Sequence, residues 1–206
     1  SISCPSSDTT EGTVLPASVS FTTLNWNAPQ TVTVTGATDA IDDGDVAYSI
    51  VTAAATSGDT NYDGLDASDV SVTNIDDDTF GITVDPVGGL VTTEAGGTAT
   101  FTIVLASQPT DDVTIGLSSS DTTEGDVSTT SVVFTSANWN VAQTITVTGS
   151  DDSLVDGNVA YTIVTAAATS TDTNYGGANP SDVSVTNQND DVAGITVNPT
   201  SGLVTT

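Results

Sequence analysis

Gln143-Thr144-Ile145-Thr146-Val147-Thr148 alternates threonine with branched apolar residues, and Gln30-Thr31-Val32-Thr33-Val34-Thr35 does so again. Successive side chains of an extended chain point to opposite faces, so Ile145 and Val147 share one face and the threonines the other. Such a run is a strand with one face on a core and one toward water. It decides for a β protein, and the rest of the chain is read outward from it.

The two runs lie 113 residues apart, and so do their surroundings. Trp26 matches Trp139, Tyr48 matches Tyr161 and Asp77 matches Asp190. Residues 8–93 align with 121–206 without a gap, which marks an array of like units. A unit of this length is a domain in its own right and not one turn of a solenoid. The boundaries follow from the register: an incomplete unit over 1–78, a complete unit over 79–191, and a segment 192–206 that begins a following unit or serves as a donor strand. The incomplete unit lacks the equivalent of 80–113. Because the chain opens in mid-pattern, without Met or a signal peptide, it is expected to be a mature product or a window from something longer.

Within the complete unit, alternation and turn residues predict seven strands near 81–84, 98–105, 112–117, 131–135, 143–148, 159–165 and 182–186. Gly, Pro, Asn and Asp crowd the gaps between them. Five matching strands are expected in 1–78, near 1–4, 18–22, 30–35, 46–52 and 69–73. No stretch has helical periodicity. Seven short strands in a domain of this length fit an immunoglobulin-like antiparallel β-sandwich.

The charge is one-sided. There are 27 Asp and Glu and no Lys, Arg or His, for a formal net charge of -27. Nothing could neutralise nucleic-acid phosphates, which excludes nucleic acid as a partner, and the same charge argues against docking on anionic lipid heads. No apolar run reaches 18 residues, so membrane insertion is not expected. Without His or Lys the usual bases for a Ser or Cys nucleophile are missing, and no carboxylate pair stands out for glycoside hydrolysis, so no enzyme is expected.

If strands run up and down between two poles, Asp85, Glu94, Asp121, Glu124, Asp126, Asp151, Asp152, Asp156, Asp190 and Asp191 fall at one pole. Only Asp111, Asp112, Asp172 and Asp182 fall at the other. The first unit repeats the arrangement with Asp39, Asp43 and the run Asp76-Asp77-Asp78. Two such charges 4 Å apart repel by roughly 4 kcal/mol at an effective dielectric near 20. With no basic side chain in the sequence, a cation from solution is the natural partner. Ca²⁺ suits clustered carboxylates, amides and loop carbonyls, since it takes six to eight oxygens with flexible geometry. No imidazole is present, and the lone cysteine makes no zinc or copper site. The alternative is that the acids keep a long array soluble. Asp111 and Asp112, in the loop of the second unit before 112–117, are expected to approach Asp76–Asp78 at the seam.

Val91-Thr92-Thr93-Glu94-Ala95-Gly96-Gly97-Thr98-Ala99-Thr100-Phe101, the pair Asp151-Asp152 and the closing Asp190-Asp191 resemble the Calx-β family and the related Ig-like repeats of large bacterial surface adhesins. That resemblance implies Ca²⁺ binding at one pole by Glu94, Asp151, Asp152, Asp190 and Asp191, with Asp39 and Asp76–Asp78 in the first unit. It further implies a calcium-rigidified repeat of a secreted or surface protein. There are departures: Asp156 and Asn158 stand where the family tends to place Glu, and Thr38 stands where the second unit has Asp151.

Three features remain. Trp26 and Trp139, each between asparagines, either stack on a sugar or pack over the sandwich edge or a neighbouring unit. Cys4 stands where the second unit has Leu117, and reads as a buried thiol acting as a small hydrophobe, with an intermolecular disulfide as the alternative. The expected partners are neighbouring repeats or further copies of the same chain, with a cell-surface or glycan ligand beyond them. The function these features predict is that of a stiff extender in an adhesin or extracellular fibre. The alternatives are a filament subunit joined by strand exchange and a carbohydrate-binding module.

Overall fold

The computed structural model describes residues 1–205; Thr206, the last residue of the 192–206 segment, lies outside them. The chain forms two compact units, Ser1–Thr79 and Phe80–Thr206. All regular structure among the described residues is β.

The first unit has six short strands in three antiparallel pairs. β1 (Ile2–Ser3) pairs with β3 (Ser18–Val19), β2 (Gly12–Leu15) with β4 (Thr33–Gly36), and β5 (Val46–Ile50) with β6 (Val70–Asn74). Cys4, Tyr48 and Ile50 form a small buried core, with Val14, Val34 and Val72 packed against it. Cys4 is a free, buried thiol, as its match to Leu117 predicts.

The second unit is a two-layer sandwich. Its strands are β7 (Ile82–Asp85), β8 (Leu90–Thr93), β9 (Thr98–Leu105), β10 (Val113–Ser119), β11 (Gly125–Val127), β12 (Ser131–Phe134), β13 (Gln143–Gly149), β14 (Val159–Thr165) and β15 (Val183–Gln188). One sheet has the order β12-β10-β14-β15-β8 and the other β11-β13-β9-β7. The alternation read from the sequence fills the space between them. Phe101, Ile103 and Leu105 of β9 and Ile145 and Val147 of β13 meet Val113, Ile115, Ile163, Val183 and Val185 from the opposite sheet, all buried.

Three strands were not foreseen: β2 in the first unit, whose counterpart is β11, and β8 and β11 in the second. The opening strand is longer than 81–84 and is divided between the sheets. β7 pairs antiparallel with β9 and then, beyond Pro86 and Gly89, β8 pairs parallel with β15. Gly89 makes the crossing possible, with a φ of 77° that favours glycine. β11 was missed because three residues beginning with glycine carry no alternation. A consequence is that Asp85, placed at the acidic pole by counting strands, sits in mid-sandwich opposite Thr102 of β9. The other loops obey the count. β8 and β15 end side by side, with Thr93 opposite Gln188, and the start of β11 faces the end of β13. The segments 94–97, 120–124, 150–158 and 189–191 therefore gather at one pole.

The same residue types meet different fates in the two units. Phe134 is 0% exposed and its counterpart Phe21 is 44%; Tyr175 is 1% exposed and Tyr62 is 61%. The difference is β7–β9, which covers the second unit and has no counterpart among the described strands of the first. Phe134→Ala should therefore cost about 3–5 kcal/mol, whereas Phe21→Ala should cost under about 1 kcal/mol, in line with a site that is already open. Denaturant unfolding followed by emission of Trp139 or Trp26, with the other tryptophan changed to Phe, separates the two.

A carboxylate pole with three clusters

Hydrogen bonding explains why the pole forms. Glu94 N–H donates to the Gln188 carbonyl at 3.1 Å, so the first residue past β8 lies beside the run past β15. Glu94 is buried, and its Oε2 accepts from the Asp190 N–H at 2.9 Å. Asp191 N–H is turned onto Asn189 Oδ1 at 3.0 Å. The result is one oxygen each from Glu94, Asp190 and Asp191 within 4.8 Å of one another. Asp191 Oδ2 is buried with no hydrogen-bond partner. Burial, and then the charges of Asp190, Asp151, Asp152 and Asp156, push the Asp191 carboxyl above its ordinary range.

A second cluster joins Glu124, Asp152 and Asp156, again with oxygens within 4.8 Å. Glu124 is buried beside β11, and its carbonyl accepts from the Ser150 N–H at 2.9 Å, which draws the segment before Asp152 toward it. Burial raises the Glu124 pKa; a hydrogen bond from Asn187 opposes this, and Asp156, Asp121 and Asp152 add to it. Asn187 underlies both clusters. It is buried, its Nδ2 donates to the Ser150 carbonyl at 3.0 Å, and its Oδ1 accepts from Thr92 Oγ1 at 3.0 Å. Gly149 is required here, because a Cβ would collide with the Thr93 carbonyl.

The first unit holds the third cluster, Asp76, Asp77 and Asp78. They line one small cleft with Glu11, Asp39, Asp43 and Asn74. N–H groups of Asp78, at 2.9 Å, and Gly44, at 2.8 Å, hold the Asp76 carboxyl below its ordinary range. Burial, followed by Asp77, Asp76, Asp39 and Asp42, pushes Asp78 up. Burial, followed by Glu11, Asp39 and Asp76, does the same to Asp43. Asn74 repeats the role of Asn187, donating to Glu11 Oε2 at 3.2 Å and to the Ala37 carbonyl at 2.7 Å.

Against the residues named from sequence, Glu94, Glu124, Asp152, Asp156, Asp190, Asp191 and Asp76–Asp78 stand in clusters, and Asp39 and Asp43 line the cleft. Asp151 is exposed and belongs to no cluster, though its charge reaches Asp191. Asp121 is occupied locally, accepting from the Thr123 N–H and hydroxyl. Asp111 and Asp112 lie in the loop before β10, at the other pole of their unit, where Asp111 accepts from the Asp112 N–H and the Thr171 hydroxyl. Glu11 was missed, although it lies 113 residues before Glu124 and the repeat alone would have found it. Asn74 and Asn187 were quoted only as ends of acidic runs. Trp139 packs against the sandwich core, while Trp26 is 68% exposed.

No family model and no curated protein matches the chain. Solved structures do. A Calx CBD1 domain in its apo form is 12% identical with a TM-score of 0.38, over 53% of this chain and 96% of that one. WR4, a C. elegans MSP family member, is 15% identical with a TM-score of 0.34, over 52% of this chain and 96% of that one. Domains 4 and 5 of the S-layer protein SbsC are 17% identical with a TM-score of 0.35, over 91% of this chain and 70% of that one. The fold is an all-β, Ig-like sandwich. No described helix is long and apolar enough to cross a membrane.

The raised carboxyls set a pH dependence. Asp191, Glu124, Asp43 and Asp78 bind protons more readily folded than unfolded, so each opposes folding when charged and ceases to do so as pH falls through its folded value. Asp76, Asp121 and Asp172 are lowered and act in the opposite sense, losing their stabilisation as pH falls through the ordinary carboxylate range and below. In chelator, the melting temperature should rise as pH falls from neutral toward the folded values of the raised carboxyls, and fall again once pH passes below the ordinary carboxylate range. Asp191→Asn should raise the pH 7 value and flatten the rise; scanning calorimetry across pH checks both.

Proposed function

We propose that the chain is a structural segment of an extracellular or cell-surface fibre or adhesin, whose sandwich units are made rigid by Ca²⁺ at their carboxylate pole. The observation that carries this is the buried, unpartnered Asp191 Oδ2 beside Glu94 and Asp190, in a sequence without a basic side chain. A buried carboxylate without a partner is costly, and a bound cation removes the cost. The donors fit a hard ion, being carboxylates with amides and carbonyls close by.

Glu94, Asp190 and Asp191 would hold one ion, and Glu124, Asp152 and Asp156 a second. Asp76–Asp78, with Glu11, Asp39 and Asp43, would hold ions in the first unit. The ion supplies charge neutralisation and ties the ends of β8 and β15 to the neighbouring loops. Because an unfolded chain offers no such site, binding adds to folding stability. Only Thr79 separates Asp76–Asp78 from Phe80, where the second unit begins, so ordering this run also orders the end of the first unit. Neighbouring repeats along the same fibre are the partners in this reading.

At a free Ca²⁺ concentration a hundredfold above the Kd, the gain is about 2.7 kcal/mol, a rise in melting temperature of roughly 10 °C. Mg²⁺ should give a much smaller rise, since it keeps its water. Calorimetric titration with Ca²⁺ should give heats that Asp190→Asn with Asp191→Asn diminishes in the second unit. Equal melting in Ca²⁺ and in chelator would remove the reading.

A second reading, a filament subunit joined by strand exchange, is favoured by the tail. Residues 194–205 repeat the pattern of 81–92, and Ile195 and Leu203 stand exposed. Sedimentation shows self-association under this reading, and monomers under the first.

A further inference from the structure

Beneath the carboxylate pole of the second unit, a buried hydroxyl faces a buried amide. Thr92 and Asn187 stand directly opposite each other in the parallel pairing of β8 with β15, and both are buried, at 0% and 1% exposed. The Thr92 hydroxyl donates to Asn187 Oδ1 at 3.0 Å, so Oγ1 lies against the side-chain amide. Tyr161, also buried, brings its hydroxyl to 3.2 Å from the same Oγ1. Because the Thr92 proton is committed to Asn187, Tyr161 is the donor in that bond. The Asn187 nitrogen donates to the Ser150 carbonyl at 3.0 Å, which fixes the plane of the amide. Two glycines make the approach possible. A Cβ at Gly149 would stand 2.5 Å from Asn187 Oδ1, and one at Gly125 would strike the Tyr161 hydroxyl.

A hydroxyl held against an amide is the reactant pair for an ester. Alcohols attack amides slowly in water, but an aligned intramolecular pair reacts as if its partner stood at an effective concentration of about 10⁵–10⁸ M. Exclusion of water also protects a product ester from hydrolysis. The span is short enough for neighbouring strands. An ester between these residues places only Oγ1 and Cγ between the two β-carbons, as many atoms as a disulfide places between the β-carbons it joins.

We propose that Thr92 and Asn187 become joined by an intramolecular ester. Thr92 Oγ1 adds to Asn187 Cγ, and its proton passes along the existing hydrogen bond to Oδ1. As this tetrahedral adduct collapses, the Cγ–Nδ2 bond breaks, the Oδ1 proton moves to nitrogen and the carbonyl re-forms. The nitrogen leaves as ammonia, and nothing is oxidised or reduced. Tyr161 then donates to the bridging oxygen of the ester. The link crosses the β8–β15 ladder and ties an early strand of the unit covalently to its last one. It forms whether or not an ion occupies the pole, so it stands apart from the calcium reading.

The test is the intact mass of the folded 206-residue chain, followed at neutral pH in chelator and, separately, in Ca²⁺ until it stops changing. The expected result in both is a mass lower by one ammonia than the sequence requires. Digestion on the amino side of aspartates frees residues 85–110, which contain Thr92, and 182–189, which contain Asn187. The expected product is these two peptides joined, less one ammonia, and separated by hydroxylamine. Thr92→Ser, which keeps a hydroxyl, should retain the link, and Thr92→Val, which keeps the shape without it, should stay at full mass. Should Thr92→Val fail to fold, the joined peptides of the unaltered chain decide alone. An unaltered chain that holds its full sequence mass would overturn the proposal. So would a loss of ammonia that persists in Thr92→Val or maps to a single peptide, since that is an asparagine closing on its own backbone as a succinimide.

Discussion

Repulsion among carboxylates that no side chain can neutralise is the constraint on which the rest of this molecule depends. The sequence offers backbone N–H groups, hydroxyls, amides and protons for that purpose, and nothing else. Where loops turn tightly, these suffice: Asp172, though buried, accepts from the N–H groups of Thr110, Asn174 and Tyr175. At the acidic pole of each unit, where several strand ends converge, they run out. Asp76 takes two N–H groups while Asp78 next to it is pushed up, and Asp191 is left with an oxygen that nothing in the protein satisfies. The supply of local donors decides which acids are satisfied within the protein and which are left short of a hydrogen-bond donor.

Much of this was legible in advance because alternation is a direct readout of which face is buried. Ile145 and Val147, chosen from the pattern Thr-Ile-Thr-Val-Thr, lie in the core, as do Ile163 and Val185. The gathering of loops at one pole followed from counting strands, and only Asp85 broke the count. What could not be read was the division of the first strand into β7 and β8. Pro86 and the two glycines after it announce a turn, but whether the chain then leaves the sheet or rejoins the other one is decided by packing. Glu11 was legible and passed over. Its burial beside Asn74 was not legible, since it depends on which carbonyls the β4 and β6 ends bring near.

The two units also separate sequence from context. Phe21 and Phe134, or Tyr62 and Tyr175, occupy like positions in nearly like sequences and differ in exposure because one set is covered by residues 80–107 and the other is not. The polar floor, by contrast, survives without that cover. Asn74 bridges Glu11 and Ala37 in the first unit, where Asn187 bridges Ser150 and Thr92 in the second. Hydrogen bonds between a strand end and its adjacent loop are local to one side of the sandwich. Apolar burial needs both sides.

The parallel pairing of β8 with β15 has a mechanical consequence. Chain enters the second unit ahead of β7 and leaves it after β15, so tension on the two ends pulls β8 and β15 past each other along their common axis. Their ladder is then loaded in shear, and its bonds must fail together instead of opening one by one from an end. A fibre built from such units would resist stretching most strongly at the pair of strands nearest its own points of attachment.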